Sequence, residues 1–347
     1  MPELNPTIPT GSLVLVTGVT GYVASQVAKQ FLERGYKVRG TVRDPKRASW
    51  LVDDVFKSYA ASGDFEFATV PDLATPSAFD QAVKGVAAIC HVASIVNFDP
   101  EPNNVIPQTV AGAVSIMEAA LTEPSVKEFV YTSSIVAATI PAPGNVTRVD
   151  RSTWNDQAVQ LAWSAAADDP KHGSVVYQAS KVEAEKAIWR FVEEKKPHFS
   201  VNSVCPSSIM GEPLDRSHIG SPAAWIKQLY DRNVAFLSRA PALFAVDVKD
   251  VARLHLAAVL DRGVRNERLQ AWSHPCNWND ILAILRQLYP QHEFVEDLRG
   301  MTQLEITTDQ TLSEALLRRW GSQDGWTPLK QTVQENMDPI LGWESTV

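Results

Sequence analysis

Cysteine is scarce in this chain of 347 residues, which contains only Cys90, Cys205 and Cys276. Such a small, odd number of widely spaced cysteines argues against a disulfide framework and fits a reducing compartment. Cys90 and Cys205 lie in apolar runs, where a thiol is a packing group. Cys90 and His91 are adjacent and the other histidines are scattered. Because no pair has metal-ligand spacing, we expect no metal site.

Excess positive charge and long apolar runs are also absent. The formal net charge of −8 argues against nucleic acid or an anionic membrane as the main partner, since both favour net positive charge. No run approaches the roughly 18 uninterrupted apolar residues of a membrane span. Residues 1–10 contain three prolines and no basic cluster followed by an apolar stretch, unlike a targeting peptide. We expect a soluble cytoplasmic protein.

Strand-like and helix-like segments alternate through the first 206 residues. With 45% hydrophobic residues the chain can bury a large core. The predicted strands are 13–17, 37–42, 65–70, 87–93, 128–134 and 199–206, and the predicted helices are 21–34, 76–84, 104–121 and 175–196. This alternation predicts a doubly wound parallel α/β sheet, the Rossmann fold, with right-handed crossovers.

The pattern changes after Pro206, where proline and tryptophan interrupt the segments. The predicted helices there are 221–231, 247–260, 278–288 and 310–319. No repeat or flexible Gly/Ser linker is present. We therefore expect a Rossmann domain over residues 1–206, joined by part of 245–275. Residues 207–347 would form a smaller α/β substrate-binding region packed against it.

A glycine-rich turn follows the first predicted strand in LVLVTGVTGYVA, residues 13–24. Gly18 would permit the tight turn, Gly21 would let backbone N–H groups approach a pyrophosphate, and Ala24 would let the next helix pack close. The alternative is an ordinary turn, but the position between a strand and a helix favours dinucleotide binding. The predicted contacts are Gly18, Thr20, Gly21, Tyr22 and Val23.

The end of the second strand indicates which dinucleotide is bound. An NAD-selective site has an acidic residue about 20 residues after the glycines, where Thr41 stands instead. The basic residues of this stretch are Arg39, Arg43, Lys46 and Arg47. A guanidinium suits a 2′-phosphate, so NADP(H) is favoured. Asp44 leaves NAD as an alternative, and a solvated basic loop is another.

Tyr177 and Lys181 are spaced four residues apart in YQASK. On a helix they share a face, about 6 Å apart at Cβ, so the ammonium would stabilise a phenolate and lower the phenol pKa. Such a phenol could exchange a proton with a carbonyl oxygen during hydride transfer. The alternative is a surface helix pair.

Hydroxyl groups end the strand EFVYTSS, at Thr132, Ser133 and Ser134. Doubly wound proteins bind ligands at the carboxyl ends of their strands. A serine there could donate a second hydrogen bond to the same carbonyl oxygen. Alone it would be an ordinary turn residue, but with the glycine turn and the Tyr177/Lys181 pair it completes a catalytic site.

With these motifs the chain resembles the extended short-chain dehydrogenase/reductase family, in its dihydroflavonol reductase-like and fungal aldehyde/ketone reductase branch. The motifs are TGVTGYVA (17–24), GYKVRGTVRDP (35–45), HVAS (91–94), YTSS (131–134) and YQASK (177–181). The resemblance continues through KPHFSVNSVCPSSIMG (196–211), TLSEALLRRWG and GWTPLKQTV, and so covers nearly the whole chain. It implies that Ser134, Tyr177 and Lys181 are the catalytic residues.

The resemblance also implies where the cofactor lies. Arg43, with Lys46 or Arg47, would bind the 2′-phosphate. Asp72 and Leu73 would lie near the adenine, although Pro71 just before Asp72 departs from the family pattern. The further implied contacts are Val92, Ala93, Ser94, Thr132, Tyr177, Lys181, Pro206, Ser207 and Ser208, of which the last three approach the nicotinamide.

Apolar side chains dominate the loops expected to face this site, 95–98, 135–140, 155–175 and 207–245. The candidate substrate contacts are Phe98, Val136, Trp163 and Trp225. A mainly apolar pocket with a few polar groups suits a small hydrophobic or aromatic ketone or aldehyde. The alternative is that these residues belong to the core of the smaller region.

Two other functions use the same fold. A nucleotide-sugar epimerase or dehydratase would need cations for a diphosphate, for which Arg216, Arg232 and Arg239 are candidates. A non-catalytic NADP-binding regulator would not need a tuned phenol. We predict an NADPH-dependent carbonyl reductase, a monomer or homodimer with no nucleic-acid or membrane partner.

Overall fold

A parallel sheet of seven strands forms the centre of the molecule. The computed structural model describes residues 5–164, 169, 171–220, 222–237 and 240–345. The strands in this part are β1 (Leu13–Val16), β2 (Lys37–Val42), β3 (Phe65–Thr69), β4 (Ala88–His91), β5 (Glu128–Thr132), β6 (Arg148–Val149), β7 (Ser200–Pro206), β8 (Ser208–Met210), β9 (Leu243–Asp247), β10 (Arg268–Ala271), β11 (His274–Cys276) and β12 (Thr307–Thr308). The main sheet has the order β10-β7-β5-β4-β1-β2-β3. The strand order reverses between β1 and β4, which is where doubly wound sheets bind ligands.

Helices cover both faces of this sheet. They are α1 (Tyr22–Leu32), α2 (Lys57–Ser62), α3 (Pro102–Thr122), α4 (Asp156–Ala162), α5 (His172–Lys195), α6 (Ala223–Tyr230), α7 (Val248–Leu260), α8 (Trp278–Leu288), α9 (Thr311–Trp320) and α10 (Leu329–Glu344). Val14 and Val16 pack with α1 and α7 on one face, and Leu15 packs with α3 and α5 on the other. Since both faces are buried, the central strand β1 is apolar throughout, with the sequence LVLV. The predicted Rossmann fold is confirmed.

The predicted helix over 76–84 is wrong, because this segment is a series of turns. Ser77 has φ +62°, a left-handed conformation that interrupts a helix. The N–H groups of Ala78 and Asp80 bond to carbonyls three residues earlier. Phe79 and Val83 are four residues apart, as on one face of a helix, but here both side chains reach the core from turns.

The smaller region is built on the sheet β11-β9-β8 and the helices α6, α8 and α10. Between these elements the chain returns to the main sheet, since α7 packs on α1 and β10 pairs with β7. Tyr22 of α1 donates a hydrogen bond to Gly211 O (2.8 Å) of the smaller region. The division at residue 206 stays a prediction.

Helix α3 is apolar enough to cross a membrane by length and composition, with 21 residues and a mean hydropathy of 1.3. It is the one such helix in the described part of the chain, and 56% of its apolar 18-residue stretch is buried inside the protein. Because α3 packs along α5 and the sheet, these properties are those of a core helix.

Candidate active site

Thr41 stabilises the glycine turn after β1 by a hydrogen bond. Gly18 has φ +66°, a conformation that favours glycine, and a Cβ there would lie 3.0 Å from Ala93 Cβ. The N–H of Gly18 donates to Thr41 Oγ1 (2.9 Å), and the N–H of Gly21 donates to Gly18 O (2.8 Å). Thr41 occupies the position of the missing acidic residue, and the structure uses its hydroxyl to hold the turn.

A buried hydroxyl ties this turn to the end of β4. Thr17 Oγ1 accepts hydrogen bonds from the N–H groups of Val92 and Ala93, both 3.0 Å long, and contacts His91 Nδ1 at 3.0 Å. Because these two N–H groups use both acceptor sites of the hydroxyl oxygen, the hydroxyl donates its proton to Nδ1, and the imidazole carries its own proton on Nε2. Burial lowers the pKa of His91 to about 3, so the ring is neutral. Residues 92–94 are thereby held beside the glycine turn.

Replacing Thr17 by valine tests this link. The valine would leave the Val92 and Ala93 N–H groups without their acceptor, and we expect a loss of about 1–3 kcal/mol in the free energy of unfolding. Urea denaturation measures it. Thr17→Ser keeps the hydroxyl and is expected to lose much less. An unchanged free energy of unfolding in Thr17→Val would show that the hydroxyl does not stabilise this link.

Three exposed cations lie just beyond β2, at Arg43, Lys46 and Arg47. Among the described residues their side chains form no ion pair. Asp44 is engaged, because its carboxylate accepts the N–H of Lys46 (3.0 Å) and caps the turn Pro45–Ala48. These cations are available to a phosphate group, whereas Asp44 already has a structural role.

Arg39, the fourth basic residue of this stretch, does not belong to this cation group. Its Nε donates to Glu66 Oε1 (2.7 Å) on β3, and another N–H donates to Ala82 O (2.9 Å). Arg39 lies in the middle of β2, so its guanidinium reaches the neighbouring strand and the turns after β3 instead of the carboxyl end of the sheet.

Two buried serine hydroxyls at the carboxyl end of the sheet are free to bind a ligand. Ser94 Oγ and Ser207 Oγ have no hydrogen-bond partner in the described part of the chain. Buried polar groups normally have partners, so each is suited to a ligand. With the glycine turn and the exposed cations, these groups fit a dinucleotide that carries a 2′-phosphate.

The other predicted cofactor contacts have mixed surroundings. Asp72 is exposed and its carboxylate accepts the N–H of Ala74 (2.9 Å). Leu73 packs on Gly112 of α3, where a Cβ would lie 3.0 Å from Leu73 Cδ1. The hydroxyl of Tyr22 is used by Gly211, so only its backbone is available to a ligand. Thr20 is held through its carbonyl, which accepts from His218 Nε2 (3.2 Å).

The structure brings Ser134, Tyr177 and Lys181 together where β5 ends beside α5. Ser134 follows β5, and its side chain forms a hydrogen bond with Tyr177. The ammonium of Lys181 donates to Thr132 O (3.1 Å). The hydroxyl of Thr132 bonds to His255 Nε2 (2.7 Å), which fixes this strand end from α7. All three predicted catalytic side chains therefore converge on one strand end.

The expected lowering of the Tyr177 pKa is wrong. Burial raises the pKa of Tyr177, and the hydrogen bond with Ser134 opposes this only in part. Burial also lowers the pKa of Lys181 to about 8, and its ammonium binds the carbonyl of Thr132 rather than the phenol. The desolvation of this partly buried phenol outweighs the effect of Ser134, so Tyr177 stays protonated at neutral pH.

Phe98 and Val136 lie beside the catalytic side chains. The Phe98 ring is 55% exposed and its centroid is 5.3 Å from that of Tyr177. The Phe98 carbonyl crosses Gly173 so closely that a Cβ at Gly173 would lie 2.1 Å from the oxygen. Val136 N–H points to Ser134 Oγ (3.4 Å). Both residues could border a substrate.

The two tryptophans predicted to contact the substrate have different surroundings from Phe98 and Val136. Trp225 packs at the core of the smaller region, with ring centroids 5.7 Å from Phe236 and 6.0 Å from Trp278. Trp163 is 51% exposed at the end of α4. Part of the predicted loop 155–175, namely 165–168 and 170, lies outside the described residues.

Two of the three arginines considered for a substrate diphosphate have other partners. Arg232 pairs with Glu293 (3.0 Å), and Arg216 donates to Trp343 O (2.8 Å). Arg239 lies outside the described residues. Likewise, no group of three or more His, Cys, Asp or Glu side chains is arranged to hold a metal ion in the part of the chain that the structure describes.

Comparison with known proteins identifies the family. A family model for the NAD dependent epimerase/dehydratase family matches residues 14–270, and the chain belongs to this family. Aldehyde reductase 2 of Sporidiobolus salmonicolor is 36% identical over 345 residues, which cover 98% of each chain. Ketoreductase adrE of Penicillium rubens is 36% identical over 335 residues, which cover 95% of this chain and 97% of that protein.

A solved structure agrees with these relatives. Yeast methylglyoxal/isovaleraldehyde reductase Gre2, complexed with NADPH, superposes with a TM-score of 0.80 at 25% identity, covering 96% of this chain and 100% of that chain. The predicted family and its fungal carbonyl reductase branch are confirmed.

Proposed function

We propose that this protein is an NADPH-dependent carbonyl reductase that converts a hydrophobic ketone or aldehyde to an alcohol. The relatives confirm the predicted enzyme class, an oxidoreductase, and the predicted cofactor, NADPH. The observation that carries the proposal is the convergence of Ser134, Tyr177 and Lys181 at the end of β5. The glycine turn lies at the end of β1, two strands away in the same sheet.

In this proposal the three catalytic side chains have different tasks. NADPH, when bound, supplies the hydride. Ser134 and Tyr177 donate hydrogen bonds to the substrate carbonyl oxygen and so stabilise the negative charge that develops there. Tyr177 then gives its proton to that oxygen. Lys181, held by Thr132 O, keeps two further N–H groups for the ribose hydroxyls and for the phenolate left on Tyr177.

The raised pKa of Tyr177 favours reduction over oxidation near neutral pH. A phenol that stays protonated is ready to donate, which reduction requires. Oxidation of an alcohol needs the phenolate, and burial disfavours that form. Near neutral pH the free enzyme is therefore expected to be in the protonated form that reduction needs.

Phe98 supports the hydrophobic substrate class. Its exposed ring lies against the Tyr177 ring, so a carbonyl oxygen that reaches Tyr177 would place its substituents beside an aromatic surface. The partly buried Val136 adds apolar surface next to Ser134.

Turnover with a set of carbonyl compounds tests the function. NADPH oxidation is followed by absorbance with aryl ketones, β-keto esters, aldehydes and UDP-sugars, with NADH in parallel. We expect turnover of hydrophobic carbonyl compounds with a preference for NADPH. Tight NADPH binding without turnover of any compound would favour the regulator, and consumption of UDP-sugars alone would favour the epimerase or dehydratase.

Cofactor preference depends on the exposed cations. We expect Arg43→Ala/Arg47→Ala to raise the KM for NADPH by at least about 10–100-fold, because even one charge-assisted hydrogen bond contributes about 1.5–3 kcal/mol. The KM for NADH is expected to change little. Lys37→Ala/Lys57→Ala removes two exposed cations elsewhere and serves as the matched control. A similar loss with both cofactors would contradict 2′-phosphate binding.

A further inference from the structure

A buried ion pair lies one helical turn beyond Lys181. Glu185 of α5 and Arg268 of β10 have side chains that are 0% and 3% exposed. Arg268 Nε donates to Glu185 Oε1 (2.9 Å) and a second N–H donates to Oε2 (3.1 Å), so the contact is bidentate. The pair connects the catalytic helix to the far edge of the sheet, two strands from β5.

Neutral donors complete the coordination of Glu185. Ser133 Oγ donates to Oε2 (2.6 Å), Ser203 Oγ donates to Oε1 (2.7 Å), and Trp189 Nε1 donates to Oε1 (3.3 Å). Burial alone would raise the pKa of Glu185, but Arg268 and the two serines hold it below its usual value. The carboxylate is therefore ionised, and one of its donors, Ser133, directly precedes Ser134.

Arg268 has further partners beyond Glu185. Two more of its N–H groups, both on Nη1, donate to Arg151 O and Thr153 O at 2.9 Å. Its guanidinium lies over the Trp154 ring, 4.0 Å from the centroid. An arginine held on every side can fix a carboxylate in one orientation.

Glu185 is the ionised carboxylate that acts on Lys181 in the described part of the chain. The groups that face Lys181 are Tyr177 and Glu185 on α5, Tyr131 and Thr132 on β5, His91 on β4 and Cys205 on β7. Burial raises the pKa of the Tyr131 phenol and raises that of the Cys205 thiol to about 12, so both are neutral. His91 is neutral as well.

We propose that Glu185 and Arg268 are positioning residues that keep Lys181 as an ammonium and fix the end of β5 that carries Ser134. Glu185 supplies the charge, and Arg268 keeps Glu185 ionised and oriented. The inference rests on the proposed function for its catalytic consequence. The protonation of Lys181 is a property of the chain itself and is measurable without turnover.

The sign of the expected effect follows from the surroundings of Lys181. Burial lowers the pKa of Lys181 to about 8, and the Glu185 charge opposes this. Loss of that charge removes the opposing effect, so the pKa of Lys181 falls further and the ammonium is lost at a lower pH. If reduction needs the ammonium, the alkaline decline of kcat/KM moves to lower pH as well.

The test compares Glu185→Gln with Arg268→Lys. The glutamine keeps the shape and loses the charge, whereas the lysine keeps the charge and loses the bidentate contact. The Lys181 pKa is read directly by NMR of protein labelled with [ε-13C]lysine, with the Lys181 signal assigned by its loss in Lys181→Met. We expect a fall of about one unit or more in Glu185→Gln and little change in Arg268→Lys.

The pH profile of kcat/KM and the Tm give two further measurements. The alkaline decline of kcat/KM is expected to shift with the NMR value in Glu185→Gln, whereas Arg268→Lys lowers Tm and leaves the profile in place. If Glu185→Gln does not fold because Arg268 is left unpaired, Glu185→Gln/Arg268→Met removes both charges and is expected to show a smaller fall in the same direction, since the Arg268 cation is lost too. An unchanged Lys181 pKa in these variants, with only Tm reduced, would overturn the proposal. Absence of turnover in the wild type would instead contradict the proposed function, and the NMR result would still stand.

Discussion

Tyr177→Phe is expected to lower kcat for carbonyl reduction by about 10²–10⁴-fold. The substitution removes the hydroxyl that would donate the proton and leaves the ring against Phe98 in place. Because the lost interaction is made with the reacting oxygen, the Kd of NADPH is expected to stay within about twofold. Steady-state kinetics with the best substrate of the set, and a fluorescence titration with NADPH, measure the two quantities.

Tyr59→Phe is the matched control for this variant. Tyr59 lies on α2, packs its ring against Phe56, and is remote from β5 in sequence and sheet position. Its kcat is expected to equal that of the wild type. Undiminished turnover in Tyr177→Phe would contradict the proposed mechanism. A fall in NADPH affinity as large as the fall in kcat would assign Tyr177 to cofactor binding instead.

The Rossmann fold was predictable because the apolar pattern of β1 agrees with the position of this strand between two layers of helices. Val14, Leu15 and Val16 are all apolar, which indicates a strand covered on both faces, and they pack alternately into the two helical layers. The segment 76–84 shows the limit of this reasoning. Its apolar spacing is helical, but Ser77 adopts φ +62°, and serine does not signal that conformation as glycine would.

The candidate site was predictable where its residues are close in sequence. The four-residue spacing of Tyr177 and Lys181 fixes their shared helix face, and the glycine turn is continuous in the chain. The groups that support them come from distant segments. Thr17 and His91 are 74 residues apart, and Glu185 and Arg268 are 83 residues apart. Nothing in either local sequence indicates such a partner.

The direction of the Tyr177 pKa could not be read from the sequence for a similar reason. Helical spacing predicted a nearby ammonium, but it gives neither the burial of the phenol nor the competing acceptor, Thr132 O, which accepts a hydrogen bond from Lys181. Both depend on how α5 packs against β5. Desolvation grows with burial and exceeds a charge effect that is directed elsewhere.

Ser134→Ala is expected to lower kcat by about 10²–10³-fold, as found when one donor to a developing oxyanion is removed. The hydroxyl has two roles here, since it forms a hydrogen bond with Tyr177 and would donate to the substrate oxygen. Its loss also removes the interaction that opposes the burial effect on the Tyr177 pKa, so that pKa is expected to rise further. Ser134→Thr keeps a hydroxyl and is expected to retain more activity than the alanine variant.

The double variant Ser134→Ala/Tyr177→Phe shows whether the two hydroxyls act as one unit. If both bind the same carbonyl oxygen, removing Ser134 after Tyr177 is lost costs less than removing it from the wild type, since groups that act together are not additive. We therefore expect a kcat close to that of Tyr177→Phe alone, measured with the same substrate at saturating NADPH. Fully multiplicative losses would place the two hydroxyls on different steps, and Ser134 would then serve substrate binding rather than the stabilisation of charge on the oxygen.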